Sequence, residues 1–168
     1  MKNLIRLLIA VAAFAAAPGN SQTALMGYYE VWEHSIPTPG PDGNRCRTEI
    51  VLINSHEIRS IGGSDMSLPV YVLFFNDAES LLTCTNVKLT ADDMEIIDVG
   101  KVLKNSNVKV SRGVFKCVTD PRQSPYLHGY VSKKYYSNLQ LTDVVEYPIT
   151  ACPTRYDLVQ IKRQCAGQ

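Results

Sequence analysis

Three histidines are the side chains of this 168-residue chain best suited to chemistry near neutral pH. His34 follows Glu33, His56 precedes Glu57, and His128 lies near Lys133 and Lys134. Cleaving RNA needs a general base, a general acid and a cation beside the phosphate. His34, His56, His128, Glu33 and Glu57 would supply these to a small secreted hydrolase of the histidine-dependent nuclease type. Their spacing adds nothing to that reading. His56-Glu57 lacks the second histidine of a metalloprotease helix, because position 60 is serine. No G-x-S-x-G elbow, P-loop or G-x-G-x-x-G run occurs. Asp92 and Asp93 are adjacent, so on a helix they diverge instead of forming a glycosidase pair.

A second constellation is aromatic and basic. Tyr126, Tyr130, Tyr135 and Tyr136 interleave with His128, Lys133 and Lys134. Tyrosine rings keep one end wet while the ring packs on a partner, and ammonium groups beside them suit an acidic or polar ligand. Tyr130, Lys133, Lys134, Tyr135 and Tyr136 are therefore the candidate binding residues, with Trp32, the single tryptophan, a secondary one. On a strand, Tyr135 shares a face with Lys133, and Tyr130 shares the other with Lys134 and Tyr136. One set is expected to be the more exposed. Tyrosine is also a good strand former, so packing on a sheet is the competing explanation.

The five cysteines gain their meaning from the N-terminus. Lys2 and Arg6 precede an unbroken apolar run from Leu7 to Ala17, and Pro18 and Gly19 end it. That is the plan of a secretory signal peptide, and the run is about half the ~20 residues needed to cross a bilayer. Gly19 and Ser21 place the cut before Gln22, giving a signal peptide over 1–21 and one exported domain over 22–168 with no membrane span, periplasmic or extracellular. In an oxidising compartment most cysteines pair. Cys152 and Cys165 bracket a short loop, and Cys84 and Cys117 both lie in strand-like runs, so those two bridges are expected, with Cys46 left over. Zinc is disfavoured, since the nearest two cysteines stand thirteen positions apart.

The elements that must position these groups read as short strands between turn signals. Strands are expected over 25–32, 48–53, 70–75, 81–89, 108–117 with its phase broken near Gly113, 127–135, 139–147 and 156–161, with a proline-rich loop over 35–45. Segment 70–75 is apolar on both alternating faces and reads as a central strand. A bulge or tight turn is expected at Gly113. Ala91 to Val99 is the one helix expected, with Thr90 and Asp93 as a capping box and Gly100 as its C-terminal stop. About eight or nine short strands in one disulfide-stabilised domain make a mainly β, antiparallel sandwich or barrel.

Removing Lys2 and Arg6 from 17 basic residues leaves 15 against 16 acidic ones, a net charge of about −1. That balance gives no electrostatic ground for nucleic acid or an anionic membrane as partner. No cofactor is indicated. The reading is an exported, non-enzymatic binding domain for a protein or a polar or acidic ligand; the alternative is the secreted hydrolase. Intact-mass measurement of the exported protein is expected to give a chain starting at Gln22, and a mass retaining Leu7 to Ala17 would contradict the cleavage.

Overall fold

The computed structural model describes residues 24–31, 44–55, 67–120, 124–152 and 156–166. These form nine strands: β1 (Ala24–Glu30), β2 (Arg45–Asn54), β3 (Leu68–Phe75), β4 (Leu81–Leu89), β5 (Met94–Asp98), β6 (Arg112–Val118), β7 (Leu127–Ser137), β8 (Gln140–Pro148) and β9 (Thr150–Cys152). Helix α1 (Val99–Asn105) follows β5 and α2 (Leu158–Ala166) follows β9. The strands make two antiparallel sheets, one ordered β4-β3-β6-β1-β9 and the other β5-β2-β7-β8, as expected of a sandwich. No described helix is long and apolar enough to cross a membrane.

Alternation along the strands decides what lies between the sheets. Val70, Val72 and Phe74 on β3 and Phe115 on β6 face Ile50 and Leu52 on β2 and Val131 on β7, with Leu103 of α1 closing one side. Each such side chain, wholly removed from water, contributes roughly 1.5–3 kcal/mol. The opposite face of β3 is also covered, because Leu73 packs with Cys84, Val118, Cys152 and Ile161 of α2 in a second cluster. This is why segment 70–75 is apolar throughout.

Several expectations need correction. Residues 94–98 are strand β5, paired with Glu49–Ile53 of β2, and the helix begins only at Val99. Thr90 and Asp93 close a turn: the Thr90 N–H and hydroxyl both donate to Asp93 Oδ2, at 3.2 and 3.3 Å. The true N-cap is Asp98, whose carboxylate accepts from the Lys101 N–H. Val108 and Val110 do not form a strand. Asn107 takes a left-handed conformation (φ 54°) and the Val108 N–H returns to the Leu103 carbonyl, ending α1 in the manner of a Schellman cap. Segment 156–161 is not a strand but leads into α2, where Asp157 accepts from the Val159 and Gln160 N–H groups. Leu158, Ile161 and Cys165 then fall on one helical face.

The disulfide expectation also fails. Cys84 joins Cys165, with Cα atoms 5.7 Å apart. Cys84 and Cys117 lie on β4 and β6 with β3 between them, and their registers to Leu73 and Val72 put them on opposite faces. Cys152 on β9 is at the far edge of the same sheet from Cys84, four interstrand spacings or about 19 Å away. Helix α2 spans part of that width and brings Cys165 to β4, so Cys152 takes no part in the bridge. Cys46 and Cys117 are buried thiols outside it.

Gly113 lies inside β6, directly opposite Tyr29, without the expected bulge. A Cβ there would stand 2.0 Å from the Phe75 carbonyl oxygen and 2.7 Å from the Tyr29 hydroxyl. That hydroxyl crosses the glycine to donate to the Phe75 carbonyl at 3.0 Å. Gly113→Ala is expected to cost about 3 kcal/mol through this clash and to lower Tm by about 10 °C in a calorimetric scan. An unchanged Tm would show that the crossing is not tight.

Candidate functional site

The pleat of β7 divides the tyrosine-lysine segment between two faces. Val131, Lys133 and Tyr135 point toward the other sheet; Tyr130, Lys134 and Tyr136 point away from it. All five candidates from Tyr130 to Tyr136 are half-buried, so the two faces differ in surroundings more than in exposure.

On the inner side, Lys133 Nζ stands 3.5 Å from Glu30 Oε2 and 5.7 Å above the Tyr147 ring. The backbone of Glu30 is held by β2, as its N–H donates to Thr48 Oγ1 at 3.0 Å and its carbonyl accepts from the Thr48 hydroxyl and, at 3.4 Å, the Cys46 thiol. Tyr147 donates from β8 to the Tyr28 carbonyl. Beside this cluster a groove of about 250 Å³ runs between Tyr28, Glu30 and Lys133 on one side and the exposed Asp77–Arg112 pair on the other, with Gly113 in its wall. On the outer side, Lys134 Nζ lies 2.6 Å from Glu49 Oε2, and Arg47 pairs with Asp98. Both lysines therefore answer an acid of their own chain.

Protonation limits what the inner cluster can do. Burial, then the Glu30 charge, pushes the Cys46 thiol up to about 11. Burial, then Tyr135, Cys46 and Glu30, pushes Tyr147 up to about 12. A thiol so raised is no nucleophile at neutral pH, whereas a protonated thiol and phenol are hydrogen-bond donors, which is how they are used here.

His34, His56, Glu33, Glu57 and Trp32 lie outside the described residues. His128 is exposed on the outward face of β7, opposite Ile53. Tyr126 is exposed in a single 3₁₀ turn over Ser124–Tyr126.

The side chains that sequence reasoning missed are on the β7–β8 hairpin. Its two-residue loop, Asn138 and Leu139, has positive φ at both positions (48° and 68°), the type I′ geometry that matches strand twist. Leu139, Leu141, Val144 and Val145 are 71, 54, 42 and 43 % exposed. The signal was present in the sequence, since their apolar positions do not keep a period of two and one of the two β8 faces could not be buried. Leu141 shares the outer face with Val144 because the ladder slips at Tyr135/Tyr136. Comparison of the chain with protein-family models, with curated proteins and with solved structures finds no match.

The raised groups fix the sign of the alkaline response. Cys46 and Tyr147 hold their protons more tightly folded than unfolded, from ordinary values of 9.0 and 10.0. Between pH 9 and about 12 the unfolded chain loses protons first, so stability falls as pH rises. The urea midpoint is expected to drop steadily across that window, and a rising midpoint would show that these groups are not held protonated.

Proposed function

We propose that the protein is an exported, non-enzymatic binding domain that engages a protein partner through its β7–β8 hairpin. The observation that carries this reading is the exposure of Leu139, Leu141, Val144 and Val145 within seven residues of one another. Apolar side chains clustered on a surface mark interaction sites. Lys134 and Tyr136 stand opposite Val144 and Leu141 on the outer face, with Tyr130 farther along opposite Pro148, and supply the aromatic and basic margin. Export is supported by the charged N-terminal region and the apolar run from Leu7 to Ala17.

The test uses the mature protein as bait in the culture medium or periplasm of the producing cell. A Leu139→Ser, Leu141→Ser, Val144→Thr variant serves beside it, and bound proteins are quantified by mass spectrometry. The variant is expected to retain its Tm and to lose at least tenfold of whatever the native bait holds. Each hot-spot truncation should cost at least ~1 kcal/mol of affinity. Equal recovery on both baits would remove the hairpin as the site.

A further inference from the structure

We propose that the outer edge of β8 receives an extended, basic and apolar segment of another protein as an added strand of the four-stranded sheet. This inference rests on the binding reading above and names the chemistry of its partner.

Proteins blunt sheet edges by shortening them or covering them. Among the described residues, β9 is three residues long and β5 five, and β4 carries the bridge to α2. β8 is nine residues long, and no described strand pairs with its outer side. Its backbone phase follows from the next residue, since the Ile149 N–H donates inward to the Gly129 carbonyl at 3.2 Å. By the period of two, Tyr147 and Val145 also address β7, while Val144 and Glu146 turn their N–H and carbonyl groups outward. Pro148 falls in the outward phase, where its missing N–H costs the ladder nothing. Asp143 Oδ1 accepts from the Val144 N–H at 2.8 Å, so the outward donor at Glu146 and the carbonyls at 144, 146 and 148 are what an incoming strand would meet.

The side chains say what that strand should be. Register with β7 puts Val144 and Glu146 on the outer face and Asp143 and Val145 on the inner one. Over residues 143–146 each face of β8 therefore offers one apolar and one acidic side chain, and β8 itself carries no cation. The nearest lysines, Lys133 and Lys134, are engaged by Glu30 and Glu49. A second copy fits poorly. Opposed residues of an antiparallel pair share phase and face, so a two-fold pairing centres on a single residue: centred on Glu146 it opposes two glutamates, and in every register it gathers two Asp143 and two Glu146 along a seam to which β8 brings no cation. A segment with valine-like and lysine-like residues on both faces is complementary, and strand addition of this kind is an established mode of peptide recognition.

A pattern of two apolar then two basic residues places one of each on both faces. The probe is thus an end-capped, fluorescent octapeptide of Val-Val-Lys-Lys repeated twice, with the Val-Val-Glu-Glu repeat as its counterpart. Anisotropy is expected to show at least tenfold tighter binding of the lysine peptide to the native protein. Asp143→Lys with Glu146→Lys should invert that preference. Glu146→Pro, which removes the outward donor together with the carboxylate, should weaken the lysine peptide at least tenfold more than Glu146→Gln, which removes the carboxylate alone, with Tm held within a few degrees. Where that variant misfolds, hydrogen exchange on the native protein decides, because the lysine peptide should slow exchange at the Glu146 amide. Equal binding of both peptides, unchanged exchange at Glu146, or sedimentation showing a dimer that excludes the peptide would each overturn strand addition. If the hairpin variant still loses its captured partner in those cases, the binding reading stands and only strand addition falls. Should it retain the partner too, both fall.

Discussion

The arrangement of the two sheets depends on how the second edge of β1 is closed. β6 pairs along the full length of β1, but β9 reaches only Ala24, Leu25 and Met26. Beyond that point the edge is completed by side chains of the other sheet: Tyr147 at the Tyr28 carbonyl, Thr48 at both backbone groups of Glu30, and Cys46 at the Glu30 carbonyl. A buried backbone group left without a partner costs about 1–3 kcal/mol. β2 cannot slide past β1 without incurring that cost at both backbone groups of Glu30, so these contacts fix the relative placement of the sheets as well as stabilising β1.

That closure also determines where the lysines stand. Because Glu30 is anchored by its backbone, its carboxylate is held where Lys133 meets it from β7, and the lysine ammonium lies over the Tyr147 ring. Lys134 turns to the opposite face, into the pairs formed by Glu49, Arg47 and Asp98. In this cluster the Cys46 thiol and the Tyr147 phenol stay protonated and act as hydrogen-bond donors. Its contribution is to hold β7 and β8 as a hairpin against the sandwich.

Much of this was legible in residue patterns, and the exceptions share a cause. Leu81 and Leu89 bound β4 as expected, and the apolar run 70–75 identified the central strand β3, because alternation and its absence are local signals. The segment 94–98 was not legible as a strand: Thr90 and Asp93 resemble a cap, and what makes these residues extended is a pairing with β2 some forty positions earlier. The helix at 158–166 was hidden by its short length, and the Cys84–Cys165 bridge by a sequence separation of 81. The slip between Phe74 and Phe75, which brings Leu81 to the side of Cys84, likewise has no local signal. The tyrosine-lysine segment was recognised, but its two faces could be told apart only once Glu30 and Glu49 were known to lie on opposite sides of it.

The loop of the hairpin shows the same tension between local and global requirements. A type I′ turn needs positive φ at both central positions; Asn138 tolerates that conformation, whereas an apolar residue such as Leu139 is disfavoured there by roughly 1–2 kcal/mol. Glycine would relieve the conformational penalty and remove an exposed apolar side chain in one step. Leu139 is the most exposed large apolar side chain among the described residues. A residue that costs backbone energy without being buried gains nothing for the sandwich, and such local conflicts concentrate where a protein meets something else. β8 behind it shows the same conflict, since Leu141, Val144 and Val145 are exposed on a nine-residue edge strand whose charged residues are Asp143 and Glu146.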